Sequence, residues 1–265
     1  MFKKIAENIY KLDIPFDNIS TSSFLVVGEW GGILIDSGTY PKDVTDIILP
    51  ALSKIGIKPN YLFLTHFHAD HSGGAETLIK EIKDLKILCF DAKLAEKSSG
   101  ILLKNNEELF KNIQFLSLPG HSFDSGALLD RRTNSIITGD CLQLWGITKY
   151  GCGIGSPIEY KKSIARLKNI KLDNLFASHE YYPLGSRAVG AENVKKYLKE
   201  CDDFYNELIL FALSYKRKGI LDSEKIATDF NMQKEKTHPN KPIIPHHTFK
   251  SILSQDEDLL RQYIV

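Results

Sequence analysis

The heptapeptide Thr65-His66-Phe67-His68-Ala69-Asp70-His71 constrains this chain more than any other stretch. Three histidines and one aspartate fall within six consecutive positions. The apolar run Tyr61-Leu62-Phe63-Leu64 precedes them and is short enough for a buried strand; Gly73-Gly74 and a helical pattern follow. Metal-ligating side chains therefore gather where a strand ends and a helix begins, the place where open α/β sheets collect ligands. In an extended segment His66 and His68 point to the same side, so both can grip one ion. Asp70 and His71 lie further along, where the chain turns, and can face a second ion. Imidazole suits zinc, and a carboxylate adds a ligand or holds a water. The alternatives are a histidine-rich loop without metal and a purely structural site. Structural zinc is usually closed by four ligands, mostly cysteine, and no Cys-x-x-Cys occurs here.

Four further segments stand out along the chain. Asp36-Ser37-Gly38 follows the apolar run Gly32-Ile33-Leu34-Ile35. Leu118-Pro119-Gly120-His121-Ser122, Thr138-Gly139-Asp140 and Ala177-Ser178-His179-Glu180 come later in the chain. Taken singly, His121 reads as a turn or core histidine, Asp140 as a turn residue and His179 as a helix-cap histidine. Taken together and in this order, the five segments resemble the metallo-β-lactamase superfamily, whose His-x-His-x-Asp-His motif is His66 to His71. The resemblance runs from about Asn8 to about Gly185.

The resemblance implies an α+β fold: an αββα sandwich of two facing mixed sheets with outer helices, here followed by a helical C-terminal appendage. With the C-terminal periodicity, it gives a catalytic domain over residues 1–190 and a helical region over 191–265. It also implies the ligand set. His66, His68 and His121 would hold one ion, Asp70, His71 and His179 the other, and Asp140 would bridge them. The implied cofactor is two zinc ions per chain, with iron or manganese as alternatives. A hydroxide shared by the ions would attack the substrate, and Asp70 would orient it and relay a proton.

Asp140 narrows the family. True zinc β-lactamases usually carry a cysteine at this point; here Cys141 comes one residue later and faces the other way on a strand. That argues against antibiotic hydrolysis and toward hydroxyacylglutathione hydrolases, lactonases and nucleases. His68 in place of glutamate argues against the diiron oxygen reductases. Gly139-Asp140-Cys141, Gly151-Cys152-Gly153 and Ser178-His179-Glu180-Tyr181 are similar to segments of hydroxyacylglutathione hydrolase. Ile154 stands where that enzyme has a loop arginine, and Ser178 where it has glycine. The expected function is a dinuclear zinc hydrolase of a small ester, thioester or lactone. The other classes are a persulfide dioxygenase-like oxidoreductase with one iron, and a metal-dependent nuclease or phosphodiesterase. Tyr181 and Tyr182 are expected to donate to a developing oxyanion. Trp145 and Tyr150 are expected to wall a pocket, and His246 and His247 to reach over from the appendage. Ordinary packing, for the aromatics, and a surface helix start, for the histidine pair, are the alternatives.

Composition sets the bounds. Hydrophobic residues make up 43% and charged residues 25% of the 265 positions, which is ordinary for a globular chain. A formal net charge of +1 gives no reason to expect a polyanionic partner such as nucleic acid. The N-terminal Met1-Phe2-Lys3-Lys4-Ile5-Ala6-Glu7 lacks the apolar core of a signal peptide, and no apolar run approaches a membrane span. Cys89, Cys141, Cys152 and Cys201 are widely spaced, as reduced buried thiols are. A cytoplasmic protein with a small-molecule substrate is expected. Periodicity predicts strands at 8–15, 21–27, 33–35, 61–64, 86–90, 113–118 and 173–177, and a hairpin at 126–138. It predicts helices at 41–54, 74–83 and 159–168, short amphipathic helices at 91–98 and 105–111, and a glycine-rich loop at 141–155. From 191 to 218 an apolar stripe steps by three and four; it is expected to pack on the core, with a homodimer seam as the alternative. A short helix at 223–231, a connector marked by Pro239, Pro242 and Pro245, and a helix at 249–263 complete the expectation.

Overall fold

Apolar runs separated by tight turns fold the first part of the chain into a seven-stranded sheet. The computed structural model describes residues 1–238 and 240–264. The strands are β1 (Lys3–Ala6), β2 (Ile9–Phe16), β3 (Ile19–Gly28), β4 (Gly31–Ile35), β5 (Pro59–Phe63), β6 (Lys86–Cys89) and β7 (Ile101–Leu102), paired in that order. The first four are antiparallel neighbours, and β4 to β7 are parallel. Parallel neighbours need crossovers. Here they are α1 (Pro41–Asp43), a π-helical turn (Val44–Ile48) and α2 (Leu49–Ile55), then α3 (Ala69–Ser72) and α4 (Ala75–Glu81), then α5 (Ala92–Ser98). The helix expected at 41–54 is thus interrupted. Pro50 has no N–H to return to residue 46, and the Leu49 N–H reaches back to the Val44 carbonyl instead.

The helices cover one face of the sheet. Val44, Ile48, Leu52, Leu78 and Ile82 pack against Leu25, Leu34, Leu62, Leu64 and Ile87. Each such side chain contributes roughly 1.5–3 kcal/mol on burial. An exposed ion pair such as Lys97–Glu76 contributes about 0–1 kcal/mol, so the apolar layer dominates.

Strand alternation sends Phe63 to the other face. There it meets Phe115 of a second sheet, ring centroids 5.1 Å apart. That sheet contains β8 (Glu107–Phe110), β9 (Ile113–Ser117), β10 (Gly126–Asp130) and β11 (Ser135–Ile137), antiparallel neighbours in the order β11-β10-β9-β8. The hairpin is as expected. The helix expected at 105–111 is not: its residues form β8, because Phe110 stacks on Trp30 at 4.9 Å and meets Tyr61 at a tilt at 4.7 Å while Glu107 pairs with Phe115. These cross-sheet contacts override a short helical period.

Contacts divide the chain into two units, Met1–Ser117 with Asp124–Asp140, and Leu118–Phe123 with the chain from Cys141 onward. The second contains the short hairpin β12 (Gly146–Ile147) and β13 (Tyr150–Gly151), within the stretch expected to be a loop. It continues through α6 (Pro157–Lys168), the antiparallel pair β14 (Asn174–Phe176) and β15 (Arg187–Val189), α7 (Ala191–Lys216), α8 (Ser223–Thr237), α9 (His246–Leu253) and α10 (Glu257–Arg261). The stripe of α7, including Val194, Tyr197, Leu198, Cys201, Phe204, Tyr205 and Leu208, is buried within the unit. Phe211, Phe230 and Phe249 join α7, α8 and α9. Asp222 caps α8 as its sequence suggests, accepting from the Glu224 and Lys225 amides, but the helix runs on to Thr237. The expected helix at 249–263 breaks, and Asp256 caps a separate α10. Pro239 of the connector lies outside the described residues.

All four cysteines are buried thiols outside any disulfide. Burial pushes the Cys89 thiol up to about 11 and Cys201 to about 12. No helix among the described residues is long and apolar enough to cross a membrane.

Candidate metal centre

Parallel pairing of Ile35 with Phe63 brings the ends of β4 and β5 side by side. Asp36 and Thr65 lie just beyond those ends. The Thr65 N–H donates to Asp36 Oδ1 and the Thr65 hydroxyl to Asp36 Oδ2, each at 2.9 Å. Asp36 is fully buried and adopts φ 60°, a left-handed conformation aspartate tolerates. His68 precedes α3 with extended backbone, and the turn from His68 places the His71 N–H 3.0 Å from the His68 carbonyl. Ser37 fixes the far end of the motif, giving both its N–H (2.7 Å) and its hydroxyl (2.9 Å) to the His71 carbonyl.

These bonds set the protonation of the imidazoles. The Thr65 hydroxyl spends its proton on Asp36, so at 3.1 Å it accepts from His66 Nδ1–H. His66 Nε2 then carries a lone pair, and it faces His68 Nδ1 at 3.0 Å. His71 Nδ1 lies 2.7 Å from Asp36 Oδ2, which can only accept. A neutral His71 therefore has its lone pair on Nε2. That nitrogen is 3.3 Å from Asp70 Oδ2 and 3.4 Å from Asp140 Oδ1. In a fully buried site that nitrogen either carries a proton for the two carboxylates or shares a cation with them. Burial alone would lower the His71 pKa, but Asp140, Asp70 and Asp36 together raise it well above the ordinary value.

Asp140 reaches this point because of the residue before it. Gly139 follows β11 at φ +54°, and a Cβ there would lie 2.5 Å from Thr65 Oγ1. Only glycine fits. Nitrogens of His66 and His71 and an oxygen of Asp140 lie within 4.8 Å of one another, a spacing that can hold a metal ion. Imidazole nitrogens and carboxylates with carboxylate and hydroxyl support around them are a donor set suited to a hydrolytic metal ion. Thr21 adds to it: buried on β3, its hydroxyl donates to Asp70 Oδ2 at 3.1 Å.

The other expected site residues belong to the second unit. His121 Nδ1 lies 2.7 Å from the Gly153 carbonyl. His179 is buried, with its ring 5.6 Å from that of Tyr181. Tyr181 is buried, Tyr182 is half-buried and Tyr150 is exposed. Trp145 is enclosed: it stacks on Phe204 at 4.7 Å, lies beneath the Lys234 ammonium at 4.9 Å and donates Nε1–H to Glu200. Packing within its own unit, rather than an open pocket wall, accounts for that ring. His246 and His247 are exposed at the start of α9. Sequence reasoning gave no role to Thr21, Thr65 or Gln143, and treated Asp36 only as a landmark.

The family model described as the Metallo-beta-lactamase superfamily matches residues 17–89. The chain is similar to a probable metallo-hydrolase of Methanocaldococcus jannaschii, 31% identical over 185 residues, covering 60% of this chain and 87% of that one. The chain belongs to the metallo-beta-lactamase superfamily. As a superfamily member with this donor set, it is a metal-dependent hydrolase. It is also similar to a hydroxyacylglutathione hydrolase of Pectobacterium carotovorum, 28% identical over 145 residues, covering 51% of this chain and 53% of that one. It thus spans only about half of that relative's length. A metallo-beta-lactamase of Hirschia baltica shares the superfamily fold, with a TM-score of 0.59 and 17% identity over 76% of this chain and 97% of that one.

Proposed function

We propose that the chain is a dinuclear zinc hydrolase of a small ester, thioester or lactone. The observation that supports this is the buried group of His66, His71 and Asp140, with His71 Nε2 3.3 Å from Asp70 and 3.4 Å from Asp140, ligand atoms that one cation can gather. One ion would be held by His66, His68 and His121, the other by Asp70, His71 and His179, with Asp140 shared. Bound there, the ions would supply Lewis acidity and a water acidic enough to attack at neutral pH.

The chain's own residues do the rest. Asp36 holds the proton on His71 Nδ1, and Thr65 accepts the proton on His66 Nδ1, so both rings keep Nε2 for the metal. Thr21 fixes one oxygen of Asp70, and that carboxylate is the group that takes and returns a proton as the acyl bond breaks. Tyr181 and Tyr182, just past His179, are the hydrogen-bond donors we assign to the developing oxyanion. An acylated thiol as substrate is supported by similarity to the hydroxyacylglutathione hydrolase. Ile154 in place of that enzyme's loop arginine points to a thiol carrier other than glutathione.

Asp70→Ala is expected to lower kcat/KM at least 100-fold on a panel of thioesters, aryl esters and lactones, in line with loss of a general acid–base group. Its circular dichroism should match the parent. Undiminished turnover by this variant contradicts the mechanism.

A further inference from the structure

We propose that the C-terminal helix α9 positions His121. Thr248 and Ser251 clip the segment Cys152–Ile154, so that the Gly153 carbonyl holds His121 in its Nδ1–H form and presents Nε2. This rests on the reading of His121 as a ligand.

The backbone accounting of that segment is complete. The Cys152 N–H donates to the Trp145 carbonyl at 2.9 Å, and the Cys152 carbonyl accepts from Thr248 Oγ1 at 2.7 Å. The Gly153 N–H donates to Gln143 Oε1 at 2.7 Å, and the Gly153 carbonyl takes His121 Nδ1–H, also at 2.7 Å. The Ile154 N–H donates back to Thr248 Oγ1 at 3.2 Å, and the Ile154 carbonyl accepts from Ser251 Oγ at 2.7 Å. Every N–H and C=O of three consecutive residues is engaged. One hydroxyl, fully buried on Thr248, serves both sides of Gly153. Thr248 and Ser251 lie three apart and so share a face of α9.

Gln143 gives the segment its second anchor and also a rival arrangement. Gln143 Nε2 lies 3.0 Å from His121 Nδ1. If the amide donated there, the ring proton would sit on Nε2 and the histidine would be unable to ligate. The Gly153 carbonyl is nearer and can only accept, so it decides the tautomer. Gly153 sits close to two imidazole rings. A Cβ there would lie 3.3 Å from His247 Nε2 and 3.9 Å from His121 Cε1, wedged between the two rings. Outer partners of this kind typically tune metal affinity 10- to 100-fold.

The test uses the full chain. Imidazole 15N NMR of the metal-free protein reads the tautomer, and competition with a chromophoric chelator reads Zn2+ affinity. In the parent, His121 is expected as the Nδ1–H form. Thr248→Val should convert it to a mixture and weaken binding of one zinc equivalent by about 10- to 100-fold. Thr248→Ser should restore both readings, and Ser254→Ala, at the C-cap of α9, should change neither. Should Thr248→Val fail to fold, Ser251→Ala carries the test with the same readings. An Nε2–H His121 in the parent overturns the proposal, as does a folded Thr248→Val with parental tautomer and affinity. A parent that binds no Zn2+ refutes the metal reading instead, and the tautomer comparison still decides the clamp.

Discussion

Asp36 is the residue on which the ligand geometry turns, since one buried carboxylate accepts from Thr65 N–H, the Thr65 hydroxyl and His71 Nδ1–H. Removing it strands three donors. Each buried donor left unsatisfied costs about 1–3 kcal/mol. Asp36→Ala should therefore lower stability by several kcal/mol in urea titration and weaken Zn2+ binding about 10- to 100-fold in chelator competition. Thr21→Val removes one hydrogen bond to Asp70 and should cost about 1 kcal/mol. The ligands His66 to His71 are legible in the sequence because they are nearly consecutive and one turn of chain brings them together. Thr21 lies 49 residues from Asp70, and Thr248 lies 96 residues from Cys152. A lone threonine carries no signal that it will meet a carboxylate that far along the chain. Asp36 is intermediate: its strand-turn setting is visible, but its bond to His71 depends on the parallel register of β4 and β5.

Helices α6 and α7 are locked by a buried polar cluster. The Lys161 ammonium bonds Asp202 and Asn206, and Lys168 bonds the other oxygen of Asp202. Burial would raise the Asp202 pKa, but the hydrogen bonds from Lys161 and Lys168 prevail and hold it below the ordinary carboxylate value. The stabilisation is therefore present above the unfolded value of about 3.9 and is lost as pH falls through the lowered folded value. Asp202→Asn leaves Lys161 buried without its counter-charge and should cost about 3 kcal/mol at pH 7. Urea midpoints of parent and variant should hold apart above the unfolded value and converge only as the pH falls through the lowered folded value. A gap that stays constant with pH contradicts the ion-pair account. Long elements such as α7 were legible because twenty residues or more repeat one period. The three-residue β15 was not, and β8 read as a helix because Phe110 finds its partners on distant strands.

At the scale of the molecule, the proposed ligands are spread along the chain from His66 to His179. The order of five segments along the chain announced the superfamily, and its fold followed. What the sequence left dark is what a substrate would touch: Trp145, which reads as a pocket aromatic, is taken up by Phe204, Lys234 and Glu200. The central claim is that this chain hydrolyses through a two-metal centre. The most direct test is the metal content of the full chain purified without added metal, measured beside turnover of thioesters, esters and lactones before and after chelation. The account predicts two zinc ions per chain, with turnover lost on chelation and restored by zinc. One iron per chain with persulfide-dependent oxygen uptake, or hydrolysis that survives chelation, would contradict it.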